Sequence, residues 1–220
     1  MSGLFDRKAV FAAAPYLAWM ALMFALPATA GSYAVRGGVA ALALAAAFLE
    51  GSFGRAEPRF ALRMLVGIAA GLLVLALCVC PEQFEWYRRF CVIGGGAESA
   101  GPSPYDPSVC GWPLTLARLA GSAFVIAPAE ELFFRSFLYR RLQDRDWTDV
   151  DPSRFDVSAF LWTVGLFALE HDRIVAGAAA GAIYGLVAMR CGLGAAVTAH
   201  VVTNLALGLY VVKTGAWAFW

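Results

Sequence analysis

Apolar residues are grouped into seven long runs along the chain, and short stretches rich in charged residues separate them. An α-helix needs about 20 apolar residues to cross a bilayer, and each run reaches or approaches that length. Because the second, fifth and sixth runs are marginal, six to eight crossings are compatible with the pattern. The predicted membrane-spanning segments are residues 9–30, 37–54, 60–80, 113–142, 156–171, 174–190 and 193–212.

The composition agrees with this pattern. Hydrophobic residues make up 60% of the chain and charged residues 15%, whereas about a quarter of a typical soluble domain is charged. We therefore predict an all-α fold, a polytopic transmembrane bundle of about seven helices in a single domain covering residues 1–220. Three helices and an external loop at 81–112 precede a core at about 113–210 that carries the candidate chemistry.

Basic residues in the connections predict the orientation, because cytoplasmic loops carry an excess of Lys and Arg. A cytoplasmic N-terminus assigns ten basic residues to the inside and five to the outside. We therefore expect an integral protein of the bacterial inner membrane with its N-terminus in the cytoplasm. The net charge of +1 gives no reason to expect nucleic acid as a partner. The basic residues assigned to the inside are Arg7, Lys8, Arg55, Arg59, Arg63, Arg140, Arg141, Arg145, Arg154 and Arg190.

Two further features concern architecture. Cys91 and Cys110 both fall in the external loop, where a disulfide would persist, although two unpaired thiols are equally compatible with the sequence. Gly177, Gly181 and Gly185 are spaced by four residues, so one face of their helix is small enough for a neighbouring helix to approach closely.

Polar residues inside apolar segments are costly and usually mark a functional site. Three pairs at a spacing of i, i+4 occur in the last half of the chain, and each pair lies on one helix face. His171 and His200 are the only histidines of the chain. The pairs are Glu131 with Arg135, Phe167 with His171, and His200 with Asn204.

Glu130 and Glu131 differ in the residues that lie one turn away from them on the helix. Glu131 precedes Arg135 by one turn, which is the favourable order for an ion pair, and a buried Arg needs such a partner. Glu130 is rotated by about 100° around the helix and has no basic residue one turn away with which to pair. Glu130 is therefore the candidate general base for a water molecule. Pro128 adds to this interpretation, because it is expected to kink the helix beside the carboxylates. The alternative interpretation is that all three residues form a solvated cytoplasmic helix end.

Several hydrolytic sites are absent from the sequence. The sequence contains no HExxH motif, which marks the helix of a zinc protease, and no GxSxG motif, which carries a serine nucleophile. None of its apolar segments carries paired Asp residues. Two Glu, two His and one Asn on three helices remain, a set that can polarise water and hold an oxyanion. A catalytic zinc bound by Glu130, His171 and His200 is also stereochemically conceivable.

Three motifs carry a resemblance to a known family. The stretches EELFFR (130–135), FALEH (167–171) and HVVTN (200–204) resemble, in order, the EExxxR, FxxxH and HxxxN motifs of the CPBP intramembrane proteases. This family includes the CAAX proteases that trim prenylated proteins and bacterial relatives linked to bacteriocin handling. The resemblance covers roughly residues 113–210, and the first three segments carry no matching motif.

The resemblance implies a role for each motif residue. Glu130 and His171 would activate the attacking water, and His200 and Asn204 would stabilise the oxyanion. Three supporting residues would hold the site together, with the aromatic one packing beside His171. Because the family is usually treated as glutamic-type, we expect no metal and no other cofactor. The supporting residues are Glu131, Arg135 and Phe167.

The leading hypothesis is an intramembrane endopeptidase that cleaves near the C-terminus of membrane-embedded or lipid-anchored proteins, which are either prenylated or bear a sorting signal. The alternative is a non-catalytic membrane binding protein or transporter that uses the same polar cluster. Counting 1.5 Å per residue, Glu130 and His200 lie at similar depth, about 15 Å from Arg141 and Arg190 respectively. His171 agrees with them only if the fifth segment ends partway across, so we predict a water-accessible chamber opening toward the cytoplasmic, Arg-rich half.

Overall fold

The computed structural model describes residues 6–53, 60–93 and 103–220, and this part of the chain is helical without a strand. The predicted all-α membrane bundle is confirmed. The single-domain assignment stays a prediction. In chain order the helices are α1 (Arg7–Ala25), α2 (Ala30–Leu49), α3 (Phe60–Val79), α4 (Glu85–Cys91), α5 (Pro107–Cys110), α6 (112–143), α7 (Val157–Leu169), α8 (Ile174–Cys191) and α9 (Leu193–Thr214).

Five of these helices, α1, α2, α3, α8 and α9, are long and apolar enough to cross a membrane. Helix α6 has the length but carries the charged motif residues. Helix α7 has 13 residues and is therefore about 20 Å long, which is shorter than the hydrocarbon core. The fifth predicted segment is thus shorter than a full membrane crossing.

The predicted second segment, 37–54, is displaced from helix α2, which begins at Ala30 and ends at Leu49. Helix α1 ends at Ala25, just before Pro27. Thr29 then caps α2, because its hydroxyl accepts a hydrogen bond from the Ser32 amide at 3.1 Å. An N-cap of this type starts a helix more strongly than the apolar pattern does, which explains the early start.

Helix α6 is continuous but contains two wide turns, Ser122–Ile126 and Leu132–Leu138, in which amide groups bond to the carbonyl five residues earlier. The first wide turn directly precedes Pro128. A proline inside a helix lacks the amide donor and clashes with the carbonyl four residues before it. The widened turn relieves this conflict, so Pro128 lies within a continuous helix.

The helix ends form two groups, which contacts between distant residues hold together. At the lower end, where α1 and α3 begin, Arg7 pairs with Glu50 and Arg63 donates to the Cys191 carbonyl. At the upper end, where α3 finishes and α8 begins, Arg173 pairs with Glu82 at 2.6 Å. Arg7 and Arg63, two of the basic residues that the sequence assigns to the cytoplasm, lie at this lower end.

Close packing joins the helices that carry the motifs. The predicted glycine face of α8 contacts α7, since a methyl group at Gly177 would lie 3.1 Å from His171 Cβ and one at Gly181 would lie 3.2 Å from Phe167 Cδ1. Helix α3 approaches α9 even more closely. A methyl group at Gly71 would lie 2.4 Å from the Ala199 carbonyl oxygen.

Cys91 and Cys110 are separate thiols in the structure. Cys110 Sγ lies 3.5 Å from Thr115 Oγ1. The structure therefore corresponds to the unpaired alternative.

The contact of α3 with α9 predicts a stability difference between two glycine substitutions. Gly71→Ala should lower the free energy of unfolding by about 1–3 kcal/mol, because the added methyl group collides with the α9 backbone. Gly38→Ala is the matched control, since a methyl group there meets no atom within 4 Å. Unfolding of both variants in detergent micelles measures the difference. Equal stability of the two variants would contradict close packing of α3 on α9.

Candidate functional site

Glu131 is fully buried and contacts two basic side chains. One carboxylate oxygen, Oε1, lies 3.1 Å from Arg135 Nη1, which confirms the predicted ion pair of one helical turn. The same oxygen accepts a hydrogen bond from His200 Nδ1 at 2.9 Å. Glu131 therefore connects α6 with α9 in addition to pairing with Arg135, a contact that the sequence did not predict.

Glu130 approaches the other side of the same imidazole. Its Oε2 atom lies 3.7 Å from His200 Nε2, and its side chain is 12% exposed. This oxygen is buried and has no hydrogen-bond partner among the described residues. His200 thus lies between two carboxylates, with Nδ1 donating to Glu131 and Nε2 facing Glu130.

His171 is held by its own helix end. Its Nδ1 atom lies 2.8 Å from the Phe167 carbonyl oxygen, so Nδ1 carries the proton and Nε2 is left as the acceptor. The Phe167 ring packs beside the imidazole with centroids 4.7 Å apart, as the family resemblance implies. No hydrogen bond or ion pair joins His171 to Glu130 in the described parts of the chain.

Asn204 projects from α9 toward the first wide turn of α6. Its amide Nδ2 donates to the Ser122 carbonyl oxygen at 3.0 Å. The same carbonyl accepts the Ala127 amide across the wide turn. One amide hydrogen of Asn204 is therefore committed to holding the side chain in place, and the second is available to a ligand.

Arg135 and the aromatic side chains enclose the buried pair. The Arg135 guanidinium lies 4.4 Å from the centroid of the Phe167 ring and donates to the Gly181 carbonyl at 3.2 Å. Tyr184 stacks on His200 with centroids 4.7 Å apart. The Tyr184 hydroxyl bonds to Thr203 at 2.7 Å, and Thr203 donates to the Gly71 carbonyl at 2.9 Å. Helices α3, α6, α7, α8 and α9 all contribute to this enclosure.

Sequence reasoning missed two residues that lie at the site. Glu170, adjacent to His171, accepts a hydrogen bond from the Tyr16 hydroxyl, and Tyr16 stacks on Phe133 with centroids 4.5 Å apart. A carboxylate within the FALEH motif was a signal that could have identified Glu170. Tyr16 gave no such signal, because a tyrosine in an apolar helix is unremarkable until its partner is known.

A cavity of about 270 Å³ is lined by His171, His200 and Asn204. Glu130 lies behind this lining, in contact with His200. Its wall also includes Asp172 and Trp220, so it opens at the upper end of the bundle. The predicted opening toward the Arg-rich half is therefore wrong for this cavity. Counting residues along each helix does not show at which end the cavity opens, and the α7–α8 connection that carries His171 and Asp172 lies at the upper end, where the Asp172 carbonyl accepts the Ile93 amide at 2.7 Å.

A second cavity of about 210 Å³ lies at the lower end and is lined by Arg135, Tyr139 and Arg140. The two cavities thus approach the buried ion pair from opposite ends of the bundle.

A catalytic zinc ion needs about three protein ligands that meet at one point. Within residues 6–53, 60–93 and 103–220, no three His, Cys, Asp or Glu side chains come together as a group able to hold a metal. Glu130, His171 and His200 therefore do not form a ligand set in this geometry.

The fold and the site together define an integral membrane protein that buries two carboxylates, two histidines and an asparagine beside a cavity. Residues 112–206 match the family model described as Rce1-like, type II CAAX prenyl endopeptidase. The resemblance to the CPBP intramembrane proteases is confirmed over this part of the chain. The match supports a CAAX-type intramembrane endopeptidase with a membrane-protein substrate. Comparison with curated proteins and with solved structures gave no match.

The contacts of Glu131 predict a large stability effect. Glu131→Ala should lower the free energy of unfolding by about 3–5 kcal/mol, because Arg135 is left buried without its carboxylate. Glu50→Ala should cost less than about 1 kcal/mol, since it breaks an ion pair whose side chains are largely solvent-accessible. Chemical unfolding in detergent micelles measures both values.

A double variant separates the ion pair from general damage to the fold. Replacing Arg135 by Met in the Glu131→Ala background should recover part of the lost stability, because no unpaired charge is then buried. A double variant less stable than Glu131→Ala would show that the unpaired charge is not the cause of the loss.

Proposed function

We propose that the protein is a glutamic-type intramembrane endopeptidase that cleaves a peptide bond near the C-terminus of membrane-associated proteins, either prenylated or bearing a sorting signal. The observation that carries the proposal is the position of Glu130 Oε2, 3.7 Å from His200 Nε2, beside a cavity lined by His171, His200 and Asn204. The Rce1-like match over residues 112–206 supports the class of reaction.

Glu130 and His171 activate water in this proposal. Glu130 offers a buried carboxylate oxygen without a partner among the described residues, and His171 offers Nε2 as an acceptor. Water attacks the carbonyl carbon of the scissile bond, and Glu130 takes the proton that the water loses. When the tetrahedral intermediate breaks, this proton goes to the leaving amine, so the products are one amine and one carboxylic acid, which then loses its proton to solvent.

His200 and Asn204 stabilise the negative oxygen of the intermediate. Asn204 contributes the amide hydrogen that does not bond to Ser122. His200 donates from Nε2 in its doubly protonated form, because Nδ1 already donates to Glu131. Glu131 keeps the His200 ring oriented through Nδ1, and Arg135 balances the charge of Glu131. No metal or other cofactor takes part in this mechanism. Glu130 as a candidate general base, with His200 and Asn204 as candidate oxyanion donors, supports the proposal.

Substitution of the reacting groups tests the proposal. Glu130→Ala, His171→Ala and His200→Ala should each lower cleavage by about 100-fold or more, since general-base and oxyanion contributions are each of that size. Mass spectrometry of membrane-protein C-termini, compared between cells with and without the protein, identifies the products even when the substrate is unknown. Glu50→Ala is the control, because this glutamate lies away from the site and is partly exposed.

Other outcomes distinguish the alternatives. Retained cleavage by Glu130→Ala would reject the mechanism, and loss of cleavage with strong chelators would favour a metal. Altered uptake of a solute without any cleaved product would support a transporter that uses the same cluster.

We also propose that the lower, Arg-rich end faces the cytoplasm of a bacterial inner membrane. The excess of Lys and Arg that the sequence assigns to the connections on this side supports the orientation. In a variant with all five cysteines replaced by serine, Ser108→Cys should react with an impermeant maleimide on intact spheroplasts. Ser153→Cys should react only after permeabilisation, because these two exposed serines lie at opposite ends. The reverse labelling pattern would overturn the orientation.

A further inference from the structure

Arg118 lies on the wall of the cavity that contains His171, His200 and Asn204. It is one helical turn before Ser122, so both residues lie on the same face of α6. Ser122 is the residue whose carbonyl holds Asn204. The guanidinium is therefore part of the same cavity as the proposed hydrolytic groups, and the proposed mechanism does not use it.

Aromatic rings surround the Arg118 guanidinium. Its central carbon lies 4.3 Å from the centroid of Tyr33, 5.0 Å from Tyr105 and 5.6 Å from Trp220. Such contacts compensate part of the cost of burying the charge. A stacked guanidinium still presents the N–H groups along its edge, in the geometry that binds a carboxylate through two hydrogen bonds.

No carboxylate within the described part of the chain pairs with Arg118. Its Nε atom is buried and has no hydrogen-bond partner there. The other arginine of the cavity wall differs, because Arg173 pairs with Glu82 at 2.6 Å and donates to the Ala218 carbonyl at 3.0 Å. Arg118 is thus a cation of the cavity for which the described residues supply rings but no anion.

The acidic residues of the cavity wall belong to a different element from Arg118. Glu170 and Asp172 belong to the connection between α7 and α8, where Glu170 is bonded to Tyr16 and Asp172 lies beside the cavity. An anionic ligand is therefore attracted to Arg118 on α6, whereas the cation of the α7–α8 connection, Arg173, lies beside Glu170 and Asp172 and is already paired with Glu82.

We infer that Arg118 binds the C-terminal carboxylate of the peptide substrate. This inference rests on the proposed function. It adds the residue that fixes how many residues separate the scissile bond from the C-terminus of the substrate. One helical turn between Arg118 and Ser122 is about 6 Å, and an extended peptide advances about 3.3 Å per residue. A carboxylate a few residues beyond a carbonyl held at Asn204 therefore reaches the guanidinium.

The experiment compares two pools of short octanoylated peptides with randomised C-terminal positions, one with free carboxylates and one with carboxamides. The pools are passed over immobilised Glu130→Gln protein in detergent, and the retained peptides are quantified by mass spectrometry. We expect the acid pool to be retained about tenfold or more above the amide pool, the size of a charge-assisted hydrogen-bond pair. Adding Arg118→Gln should reduce this ratio to about one.

Two further variants keep the result interpretable. Arg36→Gln removes another guanidinium that contacts the Tyr33 ring, at 5.9 Å, but Arg36 does not line the cavity. The acid-to-amide ratio should therefore survive Arg36→Gln. Arg118→Lys, which keeps the charge without the fork of donors, should retain an intermediate ratio.

Equal retention of the two pools by the Glu130→Gln protein, including retention of neither, would overturn the inference. It would also be overturned if Arg118→Gln lowered binding of phosphatidylglycerol vesicles while the acid-to-amide ratio stayed unchanged, because Arg118 would then serve a lipid phosphate. If the acid pool is retained through Arg118 but the wild-type protein cleaves no peptide, the anion site at Arg118 is supported and the proposed peptidase activity is rejected.

Discussion

The buried carboxylate of Glu131 imposes a requirement on the surrounding helices. A charge removed from water needs both an opposite charge and hydrogen bonds, and Glu131 obtains them from Arg135 on its own helix and from His200 on α9. Arg135 in turn needs the Gly181 carbonyl of α8 and the Phe167 ring of α7. A single ionised group thus makes four helices converge, and their convergence brings the remaining polar side chains to one place.

Small residues make this convergence possible. Apolar side chains gain little by leaving lipid for another helix, so close backbone approach and hydrogen bonds carry more of the association in a membrane. Helix α3 approaches α9 so closely at Gly71 that the Thr203 hydroxyl reaches the Gly71 carbonyl. That hydroxyl also bonds to Tyr184, which stacks on His200. The close contact of α3 with α9 therefore packs the two helices and also orients the His200 ring through Thr203 and Tyr184.

Irregular helix geometry gives the cavity its polar lining. The wide turn at Ser122–Ile126 accommodates Pro128 and presents the Ser122 carbonyl to Asn204. Helix α7 is too short to span the bilayer, and the connection that follows it lines the cavity with His171 and Asp172. Backbone that departs from a regular helix is tolerated at membrane depth where it lines such a space. The Rce1-like match over residues 112–206 covers both of these features.

The sequence alone determined the helical membrane class, the resemblance of the motif-bearing region to the CPBP proteases and the pairing of Glu131 with Arg135, because motif spacing and hydropathy are local properties of the chain. Only the tertiary structure decided that His200 lies between Glu130 and Glu131, that Tyr16 reaches Glu170, and that the cavity opens at the upper end. These contacts join residues up to 154 positions apart. They depend on which helix faces are neighbours and on where α7 ends, and neither is encoded in the spacing of residues along a single helix.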